Sequence, residues 1–124
     1  MSDAAPYLAT VVAHYRRPNN HRALATPTHA HEGLNALCGD RVRIELDVQD
    51  GRVVDASFAA SACAIATASA SILTERIRGG AVGDALGLDE EAMLAALGAG
   101  IPGVRRSCVT LPLKVLRQAL TGAA

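Results

Sequence analysis

Three cysteines and one aspartate are the residues of this chain with the most chemical potential. Cys38-Gly39-Asp40 joins a thiol to a carboxylate through a glycine that permits a tight backbone path, and Cys63 and Cys108 follow at long range. Thiolate and carboxylate are both zinc ligands, and zinc accepts four such donors in a tetrahedral shell. A cysteine thiolate is also the only strong nucleophile available. These residues therefore predict a metal site, a reactive sulfur, or both.

The positions of the three cysteines favour one shared site. An isolated cysteine is more often a small buried hydrophobic residue than a ligand. Here, however, Cys38 precedes a predicted strand, Cys63 lies between a strand and a helix, and Cys108 lies near the start of the last predicted helix. Loops converge at such element ends, and sites are usually built there. The chain has no Cys-x-x-Cys pair, so the spacing is not that of a zinc finger.

Alternation with a period of two predicts an antiparallel hairpin in the middle of the chain. From Arg41 onward, charged residues alternate with apolar ones, which are Val42, Ile44, Leu46 and Val48. Asp50-Gly51 is a hairpin turn signal. The segment 53–59 returns as the second strand, with Val54, Ala56 and Phe58 expected on its buried face. The segment 28–34 is interpreted as a short edge strand.

Helical spacing accounts for most of the remaining chain. The predicted helices cover residues 7–15, 64–78, 90–97 and 106–120. Pro18 ends the first, Asp89 is a good N-cap for the third, and Pro112 lies inside the last. A helix, then strands, then several helices predict an α+β fold, a small antiparallel sheet of two to three strands packed against four or five helices. The length fits a single domain spanning residues 1–124.

Composition argues against several classes of protein. Lys and Arg balance Asp and Glu, 12 against 12, so we expect no nucleic acid and no anionic membrane bound by bulk charge. The sequence shows no signal-peptide pattern and no apolar run of membrane-spanning length. Three cysteines cannot all pair in disulfides, which is typical of free or metal-bound thiols in a reducing compartment. We therefore expect a cytoplasmic protein.

Four segments together resemble the SufU/IscU family of iron–sulfur cluster assembly proteins, which is similar to the N-terminal part of NifU. The first segment has a His-Tyr pair, basic residues and Pro-x-Asn. The second has the Cys-Gly-Asp loop, with alanine where the family has proline. The third and fourth contain the second and third cysteines. They are Val12–Asn20, Asn35–Asp40, Cys63–Glu75 and Arg105–Leu111. Each is a short pattern, but four in the right order are specific. The resemblance implies an IscU-like fold, also found in SufE.

The resemblance also implies a site and a reaction. Zinc would be held by four residues, Cys38, Asp40, Cys63 and Cys108. Cys38 would accept persulfide sulfur from a partner cysteine desulfurase, SufS, and pass it to downstream Suf scaffold proteins. The chemistry of the step is that of thiol–disulfide exchange. We add Arg105 as a second candidate catalytic residue, because its charge would hold the released thiolate; a solvated arginine at the helix start is the equal alternative.

The branch of the family is indicated by the residues around the third cysteine. IscU-type scaffolds carry a histidine just before that cysteine and a Leu-Pro-Pro-Val-Lys motif, whereas this chain has Ser107 and 101-IPGVR-105. Both differences favour SufU. The chain departs from the SufU pattern at two points. Ala62 replaces a usual glycine, and the spacing of 44 residues between Cys63 and Cys108 is close to the IscU spacing.

Three functions stay open on this basis. The first is a zinc-dependent sulfurtransferase that activates a cysteine desulfurase. The second is a scaffold on which a [2Fe–2S] cluster is assembled, with the cluster or iron at the same ligands, because thiolates serve both metals. The third is a purely structural zinc domain.

Overall fold

Three strands and five α-helices make up the described part of the chain, residues 7–36 and 39–121 of a computed structural model. The helices are α1 (Tyr7–Arg16), α2 (Ala64–Ile77), α3 (Val82–Leu86), α4 (Glu90–Leu97) and α5 (Arg106–Thr121). The strands are β1 (His29–Asn35), β2 (Asp40–Gln49) and β3 (Arg52–Ser61). A one-turn 3₁₀ helix, Gly103–Arg105, precedes α5. The expected α+β fold is confirmed.

The four helices predicted from periodicity agree with α1, α2, α4 and α5 to within one residue at each end. Asp89 caps α4 as expected, because its side chain accepts the N–H of Ala92 at 2.9 Å. The five-residue helix α3 was not predicted. In the described ranges, no helix is long and apolar enough to cross a lipid bilayer.

The sheet is antiparallel throughout, in the order β1-β2-β3. Asp50 and Gly51 connect β2 to β3 with φ angles of +52° and +77°, as a type I′ hairpin turn requires, so the predicted hairpin is confirmed. The edge strand expected near residues 28–34 is also present, as β1. We call the side of the sheet that carries Val42, Ile44 and Leu46 the inner face; those three side chains are fully buried.

Helices α2 and α5 cover the inner face and form the core with it. The largest fully buried side chains there include Phe58, Ile44, Leu46, Leu73, Met93, Leu97, Leu113 and Leu116. At Gly33 in β1 the approach is closest, because a Cβ built on this residue would lie 2.5 Å from Cγ2 of Val115 in α5. At this point α5 lies directly against the backbone of β1.

The prediction for Val54 is wrong. Val54 is 48% exposed, and its neighbour Val53 is fully buried instead. The strand pairing explains this, because Asp47 pairs with Asp55 while the next residue, Val48, pairs with Val53. Val54 is thus the extra residue of a β-bulge, which reverses the facing of the strand beyond it. Ala56 and Phe58 lie on the inner face as predicted.

The opposite side of the sheet, the outer face, is crossed by residues 20–28, which we call the crossing segment. At its start, the N–H of Phe58 donates to the carbonyl of Asn20 at the open edge of β3. In its middle, the N–H of Leu24 donates to the carboxylate of Glu45 in β2. At its end, the N–H of Thr28 donates to the carbonyl of Leu46, beside β1. Under this segment the outer-face residue Ser57 is fully buried.

Candidate metal and sulfur centre

Three of the four residues that the sequence singles out come together at one end of the sheet. Asp40 begins β2, Cys63 caps α2, and Cys108 lies in the first turn of α5. One ligand atom from each lies within 4.8 Å of the others. Cys38, the fourth predicted ligand and the predicted sulfur acceptor, lies outside the described residues. This arrangement is consistent with the expectation that element ends converge on a shared site.

Asp40 joins the strand to the helix. It is only 2% exposed. Its Oδ1 accepts the backbone N–H of Cys63 at 2.9 Å, and its Oδ2 accepts the thiol of Cys63 at 3.6 Å. The Sγ atom of Cys63 in turn accepts the N–H of Ala66, which caps the start of α2. Each carboxylate oxygen keeps acceptor capacity after these bonds, and a cation can use it.

The donor set fits a zinc ion in type, and its spacing is close to that of a zinc shell. In a tetrahedral site with bonds of about 2.0–2.3 Å, neighbouring ligand atoms are about 3.3–3.8 Å apart. The observed upper limit of 4.8 Å requires an adjustment of about 1 Å. With both thiols ionised, Asp40, Cys63 and Cys108 would bring three negative charges together at buried or half-buried positions. Such a cluster is costly unless a cation compensates it.

Two hydrogen bonds hold the chain on either side of position 38. The side-chain amide of Asn35, at the end of β1, donates to Oγ of Ser107 at 3.0 Å. The N–H of Gly39 donates to the carbonyl of Asn35 at 2.8 Å, and Gly39 has a φ of +71°, which a glycine adopts without strain. Ser107 stands where IscU-type scaffolds were expected to carry histidine, and here it connects α5 to β1. The sequence motif contained Asn35 but did not reveal its partner.

Arg105 lies at the same end of the molecule as Cys108. It ends the one-turn helix Gly103–Arg105, is exposed, and precedes Cys108 by three residues. Its role in holding a released thiolate stays a prediction. The preceding residue, Val104, is 83% exposed, and Leu34 beside Asn35 is 59% exposed. Two large apolar side chains are therefore presented to solvent beside residues of the centre.

Sequence reasoning missed the contribution of small hydroxyl residues on α2. The side chain of Ser69 is fully buried and donates to the carbonyl of Val109, the residue after Cys108, at 2.6 Å. Ser71, also fully buried, bonds His14 of α1 and the N–H of Asn19, both at 2.8 Å. The only sequence signal was the polar face of a helix that is otherwise alanine-rich.

Sequence comparison relates this chain to known proteins. A model of the NifU-like N terminal domain family matches residues 6–122. The iron–sulfur cluster assembly scaffold protein IscU 1 of Archaeoglobus fulgidus is 32% identical over 114 residues, which make up 92% of this chain and 74% of that protein. The zinc-dependent sulfurtransferase SufU of Bacillus subtilis is 31% identical over 84 residues, 68% of this chain and 56% of that protein.

A solved structure has the same fold. The N-terminal part of a nitrogen-fixing NifU-like protein from Brucella abortus superposes with a TM-score of 0.75, covering 95% of this chain and 96% of that one. At 22% identity this likeness concerns the fold. The matching family model, by contrast, spans nearly the whole sequence. The chain therefore belongs to the family of NifU-like N-terminal domains, which the resemblance in its four motifs predicted.

Proposed function

We propose that this chain acts in iron–sulfur cluster assembly as a zinc-dependent sulfur acceptor, which receives persulfide sulfur on Cys38 from a cysteine desulfurase of the SufS type. The observation that carries the proposal is the convergence of Asp40, Cys63 and Cys108 at one end of the sheet. Cys38 precedes Asp40 by two residues, and two residues span at most about 7 Å. A relative, the SufU of Bacillus subtilis, is named a zinc-dependent sulfurtransferase.

Cys38, Asp40, Cys63 and Cys108 would together hold the zinc ion. When bound, zinc supplies a positive charge that keeps cysteine thiols deprotonated at neutral pH. Asp40 has the hardest donor atom of the four. Its two bonds to Cys63 orient the carboxylate from the protein side. Such outer contacts normally tune a metal site.

The sulfur transfer itself is an exchange at a sulfur–sulfur bond. The thiolate of Cys38 attacks the terminal sulfur of the persulfide on the desulfurase cysteine. A new bond forms between Cys38 Sγ and that sulfur, while the bond between the two persulfide sulfurs breaks. The electron pair of the broken bond leaves with the desulfurase cysteine, which becomes a thiolate. Cys38 then carries the persulfide, and no net oxidation occurs.

Arg105 and the exposed apolar side chains provide the partner surface in this proposal. A positive charge three residues before Cys108 would stabilise a thiolate at the centre. Val104 and Leu34 would contact the desulfurase, because exposed apolar groups beside a site are typical of protein interfaces. Downstream Suf scaffold proteins would receive the sulfur over the same surface.

A second candidate function is that of a scaffold on which a [2Fe–2S] cluster is assembled and handed on. It is favoured by the relative named IscU, of which the chain spans 74%, against 56% of the SufU relative. The 44 residues between Cys63 and Cys108 also match the IscU length expected from the sequence. Here the cluster is cargo that the same four residues would bind, Cys38, Cys63 and Cys108 through their thiolates and Asp40 through its carboxylate.

One experiment separates the two functions. The zinc form is mixed without oxygen with a SufS-type desulfurase, cysteine and a thiol reductant, and sulfide release is measured; parallel samples contain iron and are followed by visible absorption. We expect about one zinc per chain and faster sulfide release. Without reductant, we expect one extra sulfur atom on the peptide that contains Cys38, by mass spectrometry. A stable brown cluster with no stimulation of sulfide release would support the scaffold instead.

Variants assign the roles. Cys38→Ser should abolish sulfur acceptance, whereas Asp40→Ala should retain metal on three thiolates but transfer sulfur poorly. Arg105→Ala should slow sulfur acceptance severalfold. Its neighbour Arg106 is the matched control, because it pairs with Glu91 at 2.7 Å on the surface, so Arg106→Ala should leave acceptance unchanged. Metal binding with neither activity would indicate a purely structural zinc domain.

A further inference from the structure

Two buried serines on α2 bond in different directions. Ser69 and Ser71 are both fully buried and lie two residues apart. The hydroxyl of Ser69 donates to the carbonyl of Val109 in α5 at 2.6 Å. The hydroxyl of Ser71 instead bonds Nδ1 of His14 in α1 and the N–H of Asn19. The first serine therefore connects α2 to the helix that carries Cys108, and the second connects α2 to the N-terminal helix.

The bond of Ser69 lies close to both cysteines of the centre. Ser69 follows the N-cap Cys63 by six residues, and its acceptor is the carbonyl next to Cys108. The hydrophobic effect between α2 and α5 is non-directional, so a directional bond adds to the close packing that fixes one helix along the other. A hydrogen bond of 2.6 Å is directional and short. A shift of α5 along α2 would change the separation of Cys63 and Cys108.

Pro112 provides no backbone donor to the first turn of α5. In an α-helix the carbonyl of Cys108 would accept the N–H of residue 112, but proline has no N–H to donate. One further side-chain bond within this turn, from Thr110 to the carbonyl of Ser107, is long at 3.5 Å. The turn that carries Cys108 thus receives no N–H from residue 112. Ser69 supplies a bond from α2 at the neighbouring carbonyl.

We propose that Ser69 is a positioning residue for the centre, which sets the spacing of Cys63 and Cys108 by tying α5 to α2. It touches neither metal nor substrate and acts only through the placement of the two cysteines. The role of this positioning rests on the proposed function, but the spacing of the two thiols can be measured without any metal.

The first experiment therefore uses metal-free protein in a Cys38→Ser background, which leaves only Cys63 and Cys108. The two thiols are equilibrated with reduced and oxidised glutathione, and the fraction of Cys63–Cys108 disulfide gives their effective concentration. Ser69→Ala should change this value severalfold, because the position of α5 along α2 is then less well defined. Ser71→Ala is the matched control, because it removes the same buried hydroxyl from the same helix, and it should leave the value near that of the parent protein.

The second experiment uses zinc and cobalt with the complete cysteine set. Zinc affinity is measured by competition with a chelator, and the Co²⁺ form is followed by its visible absorption, which reports ligand geometry. Ser69→Ala should lose about 10–100-fold in zinc affinity and alter the Co²⁺ spectrum, whereas Ser71→Ala should do neither. Equal effects of the two variants on thiol spacing and on metal binding would overturn the proposal, since both serines would then be merely structural.

A double variant keeps the test decisive if Ser69→Ala folds poorly. Pro112→Ala gives α5 its own donor for the carbonyl of Cys108 and favours the helix. The effect of Ser69→Ala on thiol spacing should be smaller in the Pro112→Ala background than in protein that keeps Pro112. An equal effect in both backgrounds would contradict the role of Pro112. If the parent protein binds neither zinc nor cobalt, the proposed function fails, and the thiol measurement still decides the role of Ser69.

Discussion

The two faces of the sheet are covered in different ways. On the inner face, α2 and α5 bury apolar side chains such as Phe58 and Leu46 almost completely. On the outer face, the crossing segment 20–28 is held by backbone hydrogen bonds at its two ends and by polar bonds to carboxylates between them. Arg22 pairs with Asp55 at 2.7 Å, and the N–H of Leu24 donates to Glu45 at 2.9 Å.

The difference teaches which part of the molecule positions the centre. The cysteines Cys63 and Cys108 lie on the helices of the inner face, so apolar packing and the Ser69 bond determine their spacing. The outer face carries none of the three described ligands in its crossing segment. We therefore expect inner-face substitutions to affect both stability and metal binding, and outer-face substitutions to affect mainly the pH dependence of stability.

The largest expected effect is that of Phe58→Ala. Phe58 is the only phenylalanine of the chain and is 1% exposed on the inner face. Its truncation should lower the free energy of unfolding by about 3–5 kcal/mol, because it removes transfer free energy and leaves a cavity. Val54→Ala on the exposed bulge should change it by less than about 0.5 kcal/mol. Urea unfolding measures both, and similar losses would refute the assignment of Val54 to the outside.

The next effect is that of Gly33→Ala, which tests the closest approach of α5 to the sheet. The added methyl would lie 2.5 Å from Cγ2 of Val115, so the Val115 side chain must change its rotamer or β1 and α5 must separate. Overpacking of this kind typically costs about 1–3 kcal/mol. The shift should also weaken zinc binding, because Asn35, two residues on, bonds Ser107 at the start of α5.

A matched control for Gly33→Ala is Gly83→Ala. Gly83 lies in α3, and a Cβ there would meet nothing within 4 Å among the described residues. The substitution should be neutral or stabilising by up to about 1 kcal/mol, because alanine favours helix over glycine. If Gly33→Ala retains both the stability and the zinc affinity of the parent protein, β1 and α5 are not coupled to the centre as we describe.

Much of this fold follows from local patterns, and the exceptions have tertiary causes. The alternation in β2, the turn at Asp50-Gly51 and the helix bounds are local properties, so the sequence predicts them. The exposure of Val54 depends on a bulge that only strand pairing creates. Ser57 is polar and lies on the face expected to be solvated, yet it is buried because a distant segment crosses it. That segment, residues 20–28, has no periodicity from which its path could be predicted.

The candidate site shows the same division. The residue types and their positions at element ends predicted a shared centre, and Asp40, Cys63 and Cys108 do lie together. The contacts that hold them were not predictable, because a serine hydroxyl gives no sequence signal of its partner. Ser69 and Ser71 are alike in the sequence, and only the packing of α1 and α5 on either side of α2 distinguishes them.

The smallest expected effect lies on the outer face and concerns acid. The hydrogen bond and charge of Arg22 lower the pKa of Asp55, although desolvation opposes this. The pKa of Glu45 is lowered mainly by the hydrogen bond from the N–H of Leu24 and next by the bond from the Arg43 side chain. A carboxyl whose pKa is lower in the folded chain than in the unfolded chain stabilises the fold at pH values above the ordinary carboxyl pKa of about 4. That contribution is lost as the pH falls through the lower, folded-state pKa. Stability should therefore decline between about pH 5 and pH 3, and the crossing segment should release first.

Glu45→Gln and Asp55→Asn test this; Glu45 bonds only groups of the outer face, whereas Asp55 also accepts a bond from Arg78, the C-cap residue of α2, at 3.1 Å. Each should cost at most about 1 kcal/mol at pH 7, because the ion pairs are partly exposed and screened by solvent. Each should also flatten the decline of the unfolding free energy between about pH 5 and pH 3, since the group that must be protonated is gone. Asp84→Asn on α3 is the control and should leave the slope unchanged, because Asp84 is exposed and makes no ion pair with any other described residue.

Hydrogen exchange at the N–H of Leu24 reports the crossing segment directly, and it should become faster in Glu45→Gln while zinc affinity stays at the parent value. A parent-like pH slope in both variants, or a loss of zinc affinity, would mean that the outer face is not the separate, charge-held layer that distinguishes it from the inner one.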